Sequence, residues 1–195
     1  MGTILTVKEE KKTIFNQKFE TVAAFEEFLQ GEGISDQNFE FYYGQVIEKE
    51  ATNQLKLFIV KFLTRLFIQT TAFKEGGELV AEIDIPIDEK RKRIADLAFL
   101  TEEQIKKTAR GEKVVPSFAI ELLSESEHFQ DIEDKIQDYF DAGVQTVWYV
   151  SPHSKRIYCY TSPDDVVIYK GKMRCNAKPG LADFEFFVEN LFLID

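Results

Sequence analysis

The chain has 195 residues, a mass of 22.6 kDa, 44% hydrophobic residues and 18 phenylalanines, which suits one well-packed domain over 1–195 and excludes a disordered chain. Its 24 basic and 34 acidic residues give a formal net charge of −10, which argues against a broad basic face for non-specific nucleic-acid binding but leaves room for a local cationic cluster. Two cysteines with no metal or disulfide spacing, no secretory apolar core, and an apolar stretch at 55–68 broken by Lys56, Lys61 and Arg65 predict a cytoplasmic protein with no membrane partner.

Residues 1–17 carry no strong period, and 3–7 reads as an edge strand. Over 21–29, Val22, Phe25, Phe28 and Leu29 recur at helical spacing, with Thr21 as N-cap and Gly31 as the stop; a turn follows over 31–37. The runs 39–43 and 45–47 flank Gly44 as a β-hairpin does. Glu40 falls in this hairpin, where an acid is ordinarily exposed. The longest predicted helix is 51–71, with Leu55, Phe58, Ile59, Phe62, Leu63, Leu66 and Phe67 as its apolar stripe and Lys56, Lys61 and Arg65 elsewhere on the wheel, most simply on a solvated face. Alternation over 78–87 predicts a strand. The run DEKRKR at 88–93 reads as a charged turn and is the one clear basic cluster. Such a tip either solubilises the protein or contacts phosphates.

From Arg93 to Leu100 the sequence RIADLAFL is an apolar strand interrupted once, at Asp96. A short helix over 101–110 follows, with Thr101 and Gln104 spaced as a capping box. The stretch 115–150 then carries strand, helix and strand. Residues 118–123 are almost wholly apolar, as in a strand buried on both faces, and Glu121 is the exception. Residues 129–142 repeat Ile132, Ile136, Tyr139 and Phe140 at helical spacing and stop at Gly143. Residues 144–150 are β-branched and aromatic. Short links make this a βαβ unit with two parallel strands.

A carboxylate inside an apolar strand costs several kcal/mol unless it is paired or holds a metal. Glu121 therefore reads either as a strand-end acid reaching solvent or a cation, or as part of a site. Lys135 borders the buried face of its helix beside Ile132 and Tyr139, so its ammonium can reach back to the sheet; taken alone it reads as a solvated lysine. Asp96 and Glu121 on adjacent strand ends could share one divalent cation through oxygen ligands. A lysine beside them would complete the set needed for metal-dependent phosphodiester hydrolysis.

Most acids between Glu121 and Asp141 read as helix surface, and His128 as a loop residue near the candidate site. Strands at 156–160 and 166–170 form a meander with a turn at 162–165. Tyr158 and Tyr160 share one face, where they pack or stack bases, and Ile157 and Cys159 share the other. A last strand or short helix closes the chain. The sequence has no repeat, no glycine-rich phosphate loop and no Ser/His/Asp order. The expected fold is α/β, bordering on α+β, with a central mixed β-sheet flanked by helices.

The motifs ADL at 95–97, IELLS at 120–124, Lys135, Tyr139, Gly143 and Val144, and VWYVSP at 147–152 together resemble the Uma2 (DUF820) family. That family is described as endonucleases with a restriction-endonuclease-like, PD-(D/E)XK fold, and the likeness in layout covers nearly the whole chain. It implies Asp96 and Glu121 as ligands of Mg²⁺ or Mn²⁺, Lys135 as the catalytic lysine, and a nucleic acid, expected to be DNA, as substrate. In the parent fold the lysine stands two residues after the Glu; that place is Leu123 here, so the lysine has moved to the helix, as is usual in this family. Glu40 matches the Glu of the family's Tyr-Glu-x-x-x-Gly segment, which makes it a third candidate metal ligand. Nucleases of this fold often pair, so a homodimer is a further expectation. The chain departs from the pattern at Ala95, at Ser124-Glu125-Ser126 and at Thr52-Asn53-Gln54, where the family has a Glu-His pair. The last departure bears on whether the site is competent. The alternative is a catalytically inactive nuclease fold that binds or regulates, and a weaker third is a metal-binding protein with no nucleic-acid partner.

Overall fold

The computed structural model describes residues 17–32, 39–48, 54–123 and 129–193. The expected strand at 3–7, Thr52, Asn53, His128 and the segment Ser124-Glu125-Ser126 lie outside them. Helix α1 (Val22–Glu32) is followed by the hairpin β1 (Phe39–Tyr42) and β2 (Gln45–Glu48). Helices α2 (Gln54–Phe67) and α3 (Thr71–Lys74) lead to the long hairpin β3 (Glu78–Asp88) and β4 (Arg91–Leu100). Helix α4 (Glu102–Ala109) precedes the βαβ unit of β5 (Phe118–Leu122), α5 (Phe129–Ala142) and β6 (Thr146–Ser151). Strands β7 (Arg156–Ser162) and β8 (Asp165–Lys170) form the meander. The pair β9 (Arg174–Asn176) and β10 (Glu185–Phe187), then helix α6 (Val188–Leu191), end the described chain.

Local chemistry accounts for these boundaries. Thr21 caps α1, its Oγ1 accepting the Ala24 N–H at 3.2 Å. The helix runs through Gly31 rather than stopping there. Tyr43 and Gly44 both have positive φ, 46° and 86°, the signature of a type I′ turn, whose twist matches the flanking strands. The capping box of α4 is formed, with Thr101 Oγ1 accepting from Gln104 N and Gln104 Oε1 accepting from Thr101 N. Gly143, at φ 104°, ends α5.

Strands β1 to β8 form one mixed sheet in the order β2-β1-β4-β5-β6-β7-β8, with β3 also paired to β4, and β9 and β10 form a separate two-stranded sheet. Among the described strands only β5 and β6 are parallel, as their helical crossover requires. On one face α2 contributes Ile59, Leu63 and Phe67 to a core with Phe99, Ile120 and Trp148. On the other, Ile136 and Tyr139 of α5 pack with Ala98, Ala119 and Val147. Phe25 of α1 joins Phe39 and Phe41 in a third cluster beneath β1. Phe118 and Trp148 meet edge to face with centroids 4.9 Å apart, and burying each such ring contributes about 1.5–3 kcal/mol.

One feature of the sheet positions the site. Strand β3 pairs with β4 along its full length, so β1 and β5 must share β4's other edge. There β1 pairs with Arg91 and Lys92, and β5 with Leu97, Ala98 and Phe99. Between them, Arg93–Asp96 face a breach where β1 and β5 part. The pleat also breaks there: Ala95 packs with the α5 core and Leu97 with the α2 core, although two residues apart should share a face. On β3, Glu82 lies between the registered pairs Ala81↔Leu97 and Ile83↔Ala95, opposite Asp96, at a φ of 52°.

Several expectations need correction. The basic cluster lies at the hairpin tip only at Lys90. The turn is Glu89-Lys90, and Lys92 and Arg93 are buried strand residues, which removes them as phosphate contacts. The expected helix 51–71 is described from Gln54, ends at Phe67, and is followed by the separate α3. Leu55 is 38% exposed and Lys56 is buried, so the stripe is rotated at the start of the helix. Asp138 is buried rather than on the surface of α5. Tyr158 and Tyr160 pack against the α5 core, and both cysteines are free and buried. No described helix is long and apolar enough to cross a membrane.

Candidate active site

The breach gathers the candidate residues from four elements. Asp96 stands one step beyond the last registered pair of β4 and β5, Leu97↔Ile120, which sets it across from Glu121. Its Oδ2 accepts the Leu122 N–H at 2.7 Å, so the side chain takes the place of a ladder acceptor where the strands separate. Lys56 approaches from α2, with Nζ 3.8 Å from the same oxygen. Sequence periodicity placed Lys56 on a solvated face. No local signal marks it, since its apolar neighbours Leu55 and Leu57 are themselves exposed.

Glu121 is 2% exposed and lies on the α5 side of β5. Its Oε1 accepts a short hydrogen bond from the Tyr139 hydroxyl. Burial, then the charges of Glu121 and Glu40, hold the Tyr139 phenol well above its ordinary value, so it remains a neutral donor. One phenol thus feels both carboxylates.

Glu40 is 2% exposed, not the exposed strand acid its position suggested. Phe39 and Phe41 face α1, so the pleat turns Glu40 to the opposite side. Its Oε1 accepts from Lys135 Nζ at 3.1 Å and from Ile94 N at 3.4 Å, and its Oε2 from Arg93 at 3.2 Å. Arg93 also donates from Nε to Asp138 Oδ2 at 2.6 Å and lies over the Tyr42 ring at 4.5 Å. Burial opposes the charge on Arg93, but Glu40 and Asp138 outweigh it and raise the guanidinium's pKa. Arg91 extends the chain to Asp138 Oδ1 at 2.5 Å and Asp141 at 2.9 Å.

Lys135, Asp138 and Tyr139 share the inward face of α5, three and four residues apart. The Lys135 side chain is 14% exposed, so it is not the solvated lysine of the isolated helix. Hence Glu121 and Glu40 meet α5, through Tyr139 and Lys135, while Asp96 meets Lys56 of α2; Glu40 is the counter-charge of Lys135 and Arg93.

The donor chemistry fits Mg²⁺ or Mn²⁺. Mg²⁺ takes one or two carboxylates and retains water, and Asp96 and Glu121 supply two hard oxygen donors. Among the described residues no group of three or more His, Cys, Asp or Glu side chains is placed to hold a metal ion. Glu40 already serves two cations and a backbone N–H.

A family model for Uma2, described as "Putative restriction endonuclease", matches residues 25–189. Among solved structures the chain is similar to a crystal structure titled as a putative nuclease belonging to DUF820 from Anabaena variabilis ATCC 29413. The TM-score is 0.69 at 14% identity, covering 81% of this chain and 91% of that one. This likeness establishes the fold as α/β, a mixed central β-sheet flanked by helices. No curated protein matches the chain.

Proposed function

Because the chain belongs to the Uma2 family of putative restriction endonucleases, we propose that it is a Mg²⁺- or Mn²⁺-dependent endonuclease that hydrolyses phosphodiester bonds, with DNA as the favoured substrate. What supports this reading is the register that sets Asp96 across from Glu121 where β1 and β5 part, with Lys135 turned inward from α5 to Glu40. Asp96 and Glu121 would hold the ion. When bound, it would polarise the phosphate and lower the pKa of water.

The remaining work falls to the chain itself. Lys135 donates to a non-bridging phosphate oxygen and offsets the charge that develops there. Glu40 and Arg93 hold Lys135 in position. The Leu122 N–H orients Asp96, and Tyr139 orients Glu121, as outer partners do for metal ligands. Two free buried cysteines suit a reducing cytoplasm.

The test is cleavage of plasmid and oligonucleotides with Mg²⁺ or Mn²⁺. Asp96→Ala, Glu121→Ala and Lys135→Ala should each lower the rate by at least about 100-fold. Activity that survives in all three would overturn the assignment. One observation favours a second reading, a nuclease fold that binds without cutting: the Lys56 ammonium already lies beside Asp96. Calorimetry decides between them. Mn²⁺ binding that is lost in Asp96→Ala supports the endonuclease, and no Mn²⁺ binding leaves the second reading.

A further inference from the structure

Strand β8 is the last strand on its side of the sheet, and among the described residues its outer edge pairs with nothing. Its sequence is DVVIYK. Val166, Val167 and Ile168 are 40%, 45% and 43% exposed. Val166 and Ile168 stand opposite Tyr160 and Tyr158, which face α5, and Val167 opposite Cys159, which faces α2. Among the described residues the strand's outer edge is therefore open, and its three central side chains are exposed on both faces, while Tyr169 packs against the α2-side core. Soluble proteins ordinarily blunt such an edge with a central charge, a proline or a bulge, and the centre of β8 carries none of these. Met173, whose N–H bonds back to Lys170 O at 3.1 Å, adds a further apolar group, 41% exposed, at the same end.

The charges point to the occupant. Asp164 and Asp165 mark the start of β8, while Lys170 and Lys172 mark its end, and all four are exposed. Laid antiparallel on itself, the strand brings each acidic end over a basic end. A two-fold axis through Val167 sets Val166 of one copy opposite Ile168 of the other, and Asp164 opposite Lys170. Apolar and opposite-charge cross-strand pairs both stabilise an antiparallel ladder, and a C₂ interface needs this self-complementarity.

We infer that the β8 edge is a homodimer interface, joining two copies of this chain into one continuous sheet. The inference stands apart from the endonuclease reading, since it rests on no residue of the breach.

Sedimentation velocity on the full chain tests it. The wild type should sediment as a dimer at micromolar concentration. Val167→Lys, which sets two ammonium groups face to face across the axis, should raise the dimer dissociation constant by at least about 100-fold, with circular dichroism and thermal midpoint near those of the wild type. Asp164→Lys and Lys170→Asp should each weaken the dimer. The double variant D164K/K170D should recover it, because the swapped charges again meet their opposites only across an antiparallel pair of copies. Because the charge swaps lie at the exposed ends of β8, they keep the test open should Val167→Lys fail to fold. A monomeric wild type, a dimer insensitive to Val167→Lys, or single charge variants that the double variant does not rescue would each overturn the inference.

Discussion

At the scale of the residue, the breach is an ion network inside a sheet. Glu40, Arg93 and Asp138 are each at most 3% exposed, and desolvating them is tolerable only because each carboxylate meets a guanidinium and each guanidinium two carboxylates. Removing Arg93 takes one guanidinium from both acids and leaves Asp138 with Arg91. Arg93→Met should lower unfolding free energy by about 3–5 kcal/mol, with Lys135 alone left to balance Glu40. Urea unfolding measures this, and a loss under about 1 kcal/mol would mean that water replaces the guanidinium. The bonds of Glu40 to Lys135 and Arg93 also fix where the Lys135 ammonium sits, which is why Glu40 belongs with the supports of the site.

At the scale of the element, α5 carries two duties on one face. Ile136 and Tyr139 pack it on the sheet, and Lys135 and Asp138 reach the network. Its register on the sheet follows from where it stops, and it stops at Gly143, whose φ is 104°. A Cβ at Gly143 would meet no atom within 4 Å, so Gly143→Ala would be penalised by the backbone alone. We expect a destabilisation of about 1–2 kcal/mol, read as a drop in thermal midpoint. An unchanged midpoint would show that the helix end relaxes freely. Periodicity is reliable for such an element because one long face is buried throughout. It failed for Lys56, at the start of α2, because a helical wheel ranks residues by side and not by depth along the axis.

At the scale of the molecule, carboxylates held low by cation partners contribute stability at neutral pH that is lost in acid. The carboxyl of Asp141 lies below its ordinary value through the Gln137 hydrogen bond and Arg91, with burial acting against them. For Asp88, burial raises the carboxyl, but the bonds from Arg91 and the Lys90 N–H outweigh it and lower the value. A carboxyl depressed in the fold contributes stability that is present above its unfolded value of about 3.9 and is lost as pH falls through its folded value. Below about pH 4, the thermal midpoint of the wild type should therefore fall more steeply than that of Arg91→Gln. Parallel curves would show that Arg91 does not set either carboxyl. Both acids are well exposed, so salt should flatten the difference.

The sequence by itself determined the βαβ unit, the hairpins and the caps, because each is written in neighbouring residues: an alternation, a helical period, a glycine at positive φ. It also singled out Asp96 and Glu121, since a charged group amid apolar neighbours stands out without any fold, whereas Lys135 was raised by its place on the helical wheel and by the family resemblance. Only the tertiary structure decided where the charges go. That β1 and β5 share one edge of β4 and part at Arg93–Asp96 depends on pairings between segments dozens of residues apart. The same long-range pairing buried the basic cluster, turned Glu40 inward and brought Lys56 to Asp96. Burial of a charge is set by the partners that surround it in space, and no local pattern records them.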